Sequence, residues 1–157
     1  EIEFSKELLT STRFSKSERK LYSKEDKHNI NEGLRIHAFL ENIDFKTPNL
    51  NTLSEDEIKI IKNLLSHSLF KDIHLATIYK EFEFLNEKED KIEHGIIDLM
   101  LSYDDHIDIV DYKLKNTKDK AYIDQISGYR KYIEEKTKKK TTTYLYSITN
   151  NELVKID

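Results

Sequence analysis

Two short segments place acidic side chains where apolar ones are expected. His94-Gly95-Ile96-Ile97-Asp98-Leu99-Met100-Leu101 carries Asp98 in an apolar run, and Ile107-Asp108-Ile109-Val110-Asp111-Tyr112-Lys113 carries Asp111 with a lysine two positions on. Burying a carboxylate costs several kcal/mol unless a cation or hydrogen-bond donors compensate it. Two such acids beside a lysine suit a hard divalent cation, which prefers oxygen ligands and keeps several waters. Such an ion polarises a phosphoryl oxygen and acidifies its own water. Lys113 can orient or deprotonate that water, or stabilise charge on a phosphate. Read alone, the Asp-x-Lys spacing also fits an ion pair at a strand end.

The elements that position these residues follow from hydrophobic spacing. The two segments read as buried strands joined by a polar turn at Tyr103-Asp104-Asp105-His106. Strict alternation puts Ile96, Asp98 and Met100 on one face of the first strand. It puts Ile107, Ile109, Asp111 and Lys113 on one face of the second. A hairpin then brings Asp98 and Asp111 within reach of one cation. Upstream, Asn31 can cap a helix over residues 32–41 with Leu34, His37, Ala38 and Glu41 on one face. Thr47-Pro48-Asn49 marks a break. Ser54-Glu55-Asp56-Glu57 is a capping box, followed by a packing helix with Ile58, Ile61, Leu65 and Leu69 on one stripe. Residues 76–85 alternate as a strand, and residues 86–91 form a charged turn. Residues 121–136 are helical, with Tyr122, Gln125, Ile126, Tyr129 and Ile133 on one face. Residues 142–148 and 152–156 form a closing hairpin.

The chain has 157 residues, 37% hydrophobic and 36% charged, which fits one domain, and the order of helices and strands reads as an α/β fold with a mixed sheet flanked by helices. Residues 1–30 read as a partly ordered N-terminal extension and residues 31–157 as the core. No apolar run reaches the ~18 residues that span a bilayer, so no membrane partner is expected. The chain contains no Cys, which excludes zinc-thiolate sites and an iron–sulfur cluster and fits a cytoplasmic setting. The opening Glu1-Ile2-Glu3-Phe4 suggests a piece of a longer protein. Net charge is −4, against a general nucleic-acid binder, but its distribution is uneven. Residues 98–111 carry five Asp and no Lys or Arg, whereas 113–120 carry four Lys against one Asp. An acidic centre beside basic flanks suits a cation held next to a phosphate backbone. It also suits ordinary solvated faces.

Gly95-Ile96-Ile97-Asp98, then Ile109-Val110-Asp111-Tyr112-Lys113, then Tyr122-x-x-Gln125-x-x-x-Tyr129 together resemble the PD-(D/E)XK nuclease superfamily. More narrowly they resemble the C-terminal nuclease domains of AddA- and RecB-type helicase–nucleases. Glu32-Gly33-Leu34-Arg35-Ile36-His37 is similar to that family's Gly-x-x-x-His helix. Lys80-Glu81-Phe82-Glu83-Phe84 is similar to its Arg-Glu-x-Pro-Phe strand, with Lys for Arg and Glu83 for Pro. The resemblance covers residues 31 to 148. It implies a restriction-endonuclease-like core and Mg²⁺-dependent exonuclease activity on DNA, with Mn²⁺ able to substitute. It also implies a role in processing double-strand breaks for recombination repair. His37, Asp98, Asp111 and the backbone carbonyl of Tyr112 would hold the metal, and Lys113 would be the catalytic lysine. Gln125 and Tyr129 would line the site and contact DNA. Lys115, Lys118 and Lys120 are candidate phosphate contacts. The implied partners are DNA, a helicase domain and an AddB- or RecC-like subunit. Leu114 departs from the family's Ser or Thr after the lysine. Two other readings stay open: a stand-alone restriction- or phage-type nuclease, and an inactivated nuclease fold acting as a DNA-binding module.

Overall fold

The structure is a computed structural model that describes residues 24–114 and 120–156, with backbone alone at 24–27, 29 and 30. The extension up to residue 23, and with it Lys115 and Lys118, lies outside the described residues. The chain runs through helix α1 (Lys24–Asn42), helix α2 (Glu55–Leu65), strands β1 (Thr77–Lys88), β2 (Lys91–Ser102) and β3 (His106–Lys113), helix α3 (Lys120–Thr137), and strands β4 (Lys140–Ser147) and β5 (Glu152–Ile156). The five strands form one sheet in chain order. β1, β2 and β3 are an antiparallel meander, β4 is parallel to β3 after the α3 crossover, and β5 folds back on β4. The expected mixed α/β architecture is therefore present.

The sheet is covered on both faces, which is why β2 and β3 are apolar runs rather than simple alternations. Against the first face, Ile36 and Leu40 of α1 and Ile61 and Leu64 of α2 pack on Leu99, Leu101, Val110, Tyr112 and Tyr146. Against the second, Ile126, Tyr129 and Ile133 of α3 pack on Ile97, Met100, Ile107, Ile109 and Leu145. Three layers with one sheet in the middle result. Among the described residues no helix is long and apolar enough to cross a membrane.

Several boundaries move from their sequence-based positions. The helix expected from Asn31 starts at Lys24, because the preceding residues include good helix formers and no breaker. Its buried stripe is Gly33, Ile36, His37 and Leu40. Leu34, Ala38 and Glu41, expected beside His37, are exposed. On α2 the buried residues are Ile61 and Leu64, and Leu69 belongs to the turn beyond the helix. The capping box is formed: the Glu57 N–H donates to Ser54 Oγ at 3.2 Å and the Ser54 N–H to Glu57 Oε1 at 3.0 Å. The charged turn after β1 is shorter than expected, since Lys88 already pairs with Lys91.

Phe84 fixes how the β1–β2 hairpin sits on α3. Its ring stacks on Tyr132, with centroids 4.2 Å apart, and meets Tyr129 edge-on at 5.4 Å. It also lies over Gly95 so closely that a Cβ there would overlap the ring. Gly95→Ala is therefore expected to displace Phe84 and destabilise the fold by about 1–3 kcal/mol in urea titration. An unchanged midpoint would contradict this packing.

Candidate active site

The site forms where the regular sheet fails. In β1, Glu81 has φ 50°, a left-handed conformation costly for a non-glycine residue. Lys80 pairs with Leu99 and Phe82 with Ile97, so Glu81 and Asp98 oppose one another without pairing. β2 and β3 pair only as far as Leu99 and Val110, and Asp98 and Asp111 come next in register. Three carboxylates on three adjacent strands thus share one row.

Side-chain facing reverses across that row. Ile78, Leu99 and Leu101 join the first core, whereas Phe82, Phe84 and Ile97 join the second. The expectation that Ile96, Asp98 and Met100 share a face is therefore corrected. Met100 belongs to the second core. The Asp98 carboxylate instead occupies the gap in the ladder, where Oδ2 accepts the Tyr112 N–H at 2.9 Å. A side chain has taken the place of a strand carbonyl, so alternation stops there.

Each layer supplies a partner to this row. From α1 on the first face, His37 Nδ1 lies 2.9 Å from the Gly33 carbonyl, which only an N–H can satisfy. That fixes the tautomer and turns Nε2 to Asp98 Oδ2 at 3.3 Å. The imidazole also meets the Tyr112 ring edge-on at 5.8 Å. On the second face, Lys113 Nζ lies 3.0 Å from Asp111 Oδ2 and 3.8 Å from the centre of the Tyr122 ring on α3. Cation–π contact and the carboxylate together fix the ammonium. His37, Asp98, Asp111 and Lys113 are all 7% exposed or less.

The electrostatics follow from burial and adjacency. Burial alone would favour neutral His37, but the Asp98 carboxylate overrides it and lifts the imidazole to about 9. Burial likewise opposes ionised Asp98, yet the His37 charge and the hydrogen bonds from His37 and Tyr112 hold it at about 2. Asp111 goes the other way. Burial, with the Asp98 charge added, raises it to about 6 against the pull of Lys113. The two carboxyl groups are close enough to share a proton. At neutral pH two acids face one imidazolium and one ammonium, so the cluster is internally balanced.

Tyr112 has two parts in this arrangement. Its N–H points to Asp98, while the Lys113 carbonyl turns the opposite way to accept Ile148 N–H at 2.8 Å. Strand alternation then leaves the Tyr112 carbonyl on the Asp98 side of β3. Its hydroxyl is buried with no hydrogen-bond partner among the described residues, and burial pushes its pKa well up.

The predicted site residues are only partly gathered. His37, Asp98, Asp111 and Lys113 come together with the Tyr112 backbone. Gln125 and Tyr129 instead line a neighbouring cleft of about 360 Å³ between α3 and the β1–β2 hairpin, whose described lining includes none of the four. Lys120 is exposed at the start of α3. Leu114 packs its side chain against the first core, and its carbonyl accepts Thr149 N–H at 2.8 Å. Tyr122 has a closer part in the site than its spacing predicts, because its ring lies under the Lys113 ammonium. Its helical position showed that it faces the sheet, but not that Lys113 lies over it.

The donors are two carboxylates, an imidazole and a backbone carbonyl, a set that suits Mg²⁺ or Mn²⁺. As they stand, no three His, Cys, Asp or Glu side chains among the described residues already form a cage. Asp98 is closed on His37 and Asp111 on Lys113, so a cation would enter by taking the place of the His37 proton. No protein-family profile matches the sequence, and no curated protein matches it either.

The His37–Asp98 pair has a pH signature. The folded protein holds the His37 proton up to about 9, whereas the unfolded chain releases it near 6.5. The stabilisation is therefore complete below the lower value and lost as pH rises through the upper one. Unfolding free energy is expected to fall by about 2–3 kcal/mol between pH 6.5 and 10, and His37→Gln to abolish that component. The same slope in parent and variant would contradict the pair.

Proposed function

We propose that this chain is a metal-dependent deoxyribonuclease domain with a restriction-endonuclease-like core. It hydrolyses DNA phosphodiester bonds with Mg²⁺, or with Mn²⁺ in its place. The observation that carries the reading is the meeting of buried Asp98, Asp111 and Lys113 with His37 from a separate helix at one break in the sheet. A purely structural role explains this poorly, because apolar residues of similar volume would close the same gap at lower desolvation cost. The order of motifs along the chain favours an exonuclease of the AddA or RecB type. The domain then belongs to a larger helicase–nuclease with an AddB- or RecC-like partner, acting on broken DNA ends.

In this mechanism His37, Asp98, Asp111 and the Tyr112 carbonyl would hold the cation. When bound, the ion acidifies water and polarises the scissile phosphate. His37 would offer Nε2 to the ion in its neutral form, while Nδ1–H stays on Gly33 and keeps the ring aimed. Lys113, held between Asp111 and the Tyr122 ring, orients the attacking water and stabilises negative charge on the phosphate. Gln125 and Tyr129 position the strand, and Lys115, Lys118 and Lys120 approach its phosphates.

One observation favours a second reading, an inactivated nuclease fold that binds DNA: His37 already pairs with Asp98, and Lys113 with Asp111, so the buried charges balance without a cation. Two experiments separate the readings. On end-labelled single- and double-stranded DNA with Mg²⁺ or Mn²⁺, the parent is expected to cut, and Asp111→Ala and Lys113→Ala to lose about 10²-fold or more. If Asp111→Ala cuts like the parent, the site is misassigned. In calorimetry at pH 7.5 in buffers of different ionisation enthalpy, Mn²⁺ binding is expected to release about one proton, mainly from His37. Failure to bind either metal would leave the inactivated reading.

A further inference from the structure

The cleft between α3 and the β1–β2 hairpin has features that the chemistry at the sheet break does not use. Its volume of about 360 Å³ is at the small end for ligand pockets. Phe84 and Tyr129 give it aromatic walls, and Phe84 is locked by Tyr132 on one side and Gly95 beneath. His94, with its side chain 3% exposed, lines it. Nε2 of His94 faces Glu83 at 3.5 Å, but Nδ1 is buried without a hydrogen-bond partner among the described residues. A buried polar atom left so is costly, and the side chain that carries it lines the cleft.

Gly128 is the second, independent observation. It lies inside α3, where glycine is the least favourable residue after proline. Yet no described residue lies within 4 Å of the position its Cβ would take, so packing among the described residues does not require a glycine. Gly128 lines the same cleft, and the space above it is open. Glycine at that point keeps the helix surface clear of the described residues and open to a ligand.

The charge of the lining selects among ligands. Glu93 and Asp124 are at the cleft, and among the described residues no Lys or Arg lines it. That disfavours a phosphate and suits a neutral ring with N–H groups for carboxylate and amide acceptors, the Gln125 amide included. His94 and Gly95 lie only a few residues before Asp98 on β2, roughly 10 Å along the strand. A single strand, with about 3.4 Å per nucleotide when stacked and more when splayed, crosses that distance in about three nucleotides or fewer.

We infer that this cleft is a nucleobase pocket, taking one splayed base of a single-stranded DNA end while the backbone passes the acidic row. The inference rests on the nuclease reading and gives it a substrate class: single strands or frayed ends, because a base inside a duplex cannot leave its stack without cost.

Gly128→Leu tests it, since the open space above residue 128 lets the side chain fill the cleft and leucine suits a helix better than glycine. Binding of fluorescein-labelled oligonucleotides is measured in Ca²⁺, beside cleavage in Mg²⁺. One oligonucleotide series carries an abasic position at each of the terminal nucleotides in turn. The parent is expected to lose about tenfold in affinity when one particular base is missing. Gly128→Leu is expected to lose about as much on intact strands and nothing further on the abasic one. Circular dichroism and a melt confirm that the variant is folded, and His94→Leu gives a second route to the same loss. If the parent cuts DNA but neither the abasic position nor the two variants change binding, the pocket is wrong and the nuclease reading stands. If the parent neither binds nor cuts DNA in any metal, both fall.

Discussion

The structure turns on one buried carboxylate. Asp98 lies where the ladder between β2 and β3 ends, accepts the Tyr112 N–H, and faces His37 across the interface with α1. A charge so placed is tolerated only if several elements supply partners at once. That condition ties α1 to the first face of the sheet, keeps β2 and β3 apart at this row, and sets Asp111 beside Asp98. Glu81, with its left-handed backbone at the same row of β1, is part of the same disturbance. A regular sheet with an apolar residue at position 98 would need none of these features.

The disturbance gives the site its form. Because Asp98 lies in the gap between strands, it is reached from both faces, by His37 from one and Asp111 from the other. The two acids are driven apart in pKa, Asp98 low through its partners and Asp111 high through burial and its neighbour's charge. Pairs of carboxyl groups separated in this way are a common mark of sites that move protons or bind ions. The internal cations His37 and Lys113 keep the ion-free fold from holding unbalanced buried charge.

Much of this was legible in the sequence, for identifiable reasons. The apolar runs around Asp98 and Asp111 announced buried strands, and Ser54 with Glu57 announced a helix start. His37, Asp98, Asp111 and Lys113 were selected by residue type and order, and the fold does bring them together. Alternation failed at Asp98 because a side chain replaced a backbone acceptor, a substitution that no periodicity records. The face of α1 was misplaced for a related reason. His37 is buried by its pairing rather than by hydrophobicity, so a stripe drawn through Leu34 and Ala38 pointed the wrong way. The position of Tyr122 beneath Lys113 depends on how α3 crosses the sheet, and spacing along the chain does not specify that contact. Gln125 and Tyr129, read as walls of the charged site, line the adjoining cleft instead, because α3 runs past the acidic row onto the β1–β2 hairpin.

The central claim is that the buried cluster exists to hold a divalent cation. Anomalous diffraction from crystals soaked in Mn²⁺ tests it most directly. The account predicts one strong peak bridging Asp98 and Asp111, with His37 Nε2 turned from its proton to the metal and the Tyr112 carbonyl alongside. A peak elsewhere, for example at the surface acids Asp104 and Asp105, with the His37–Asp98 contact still closed, would contradict it.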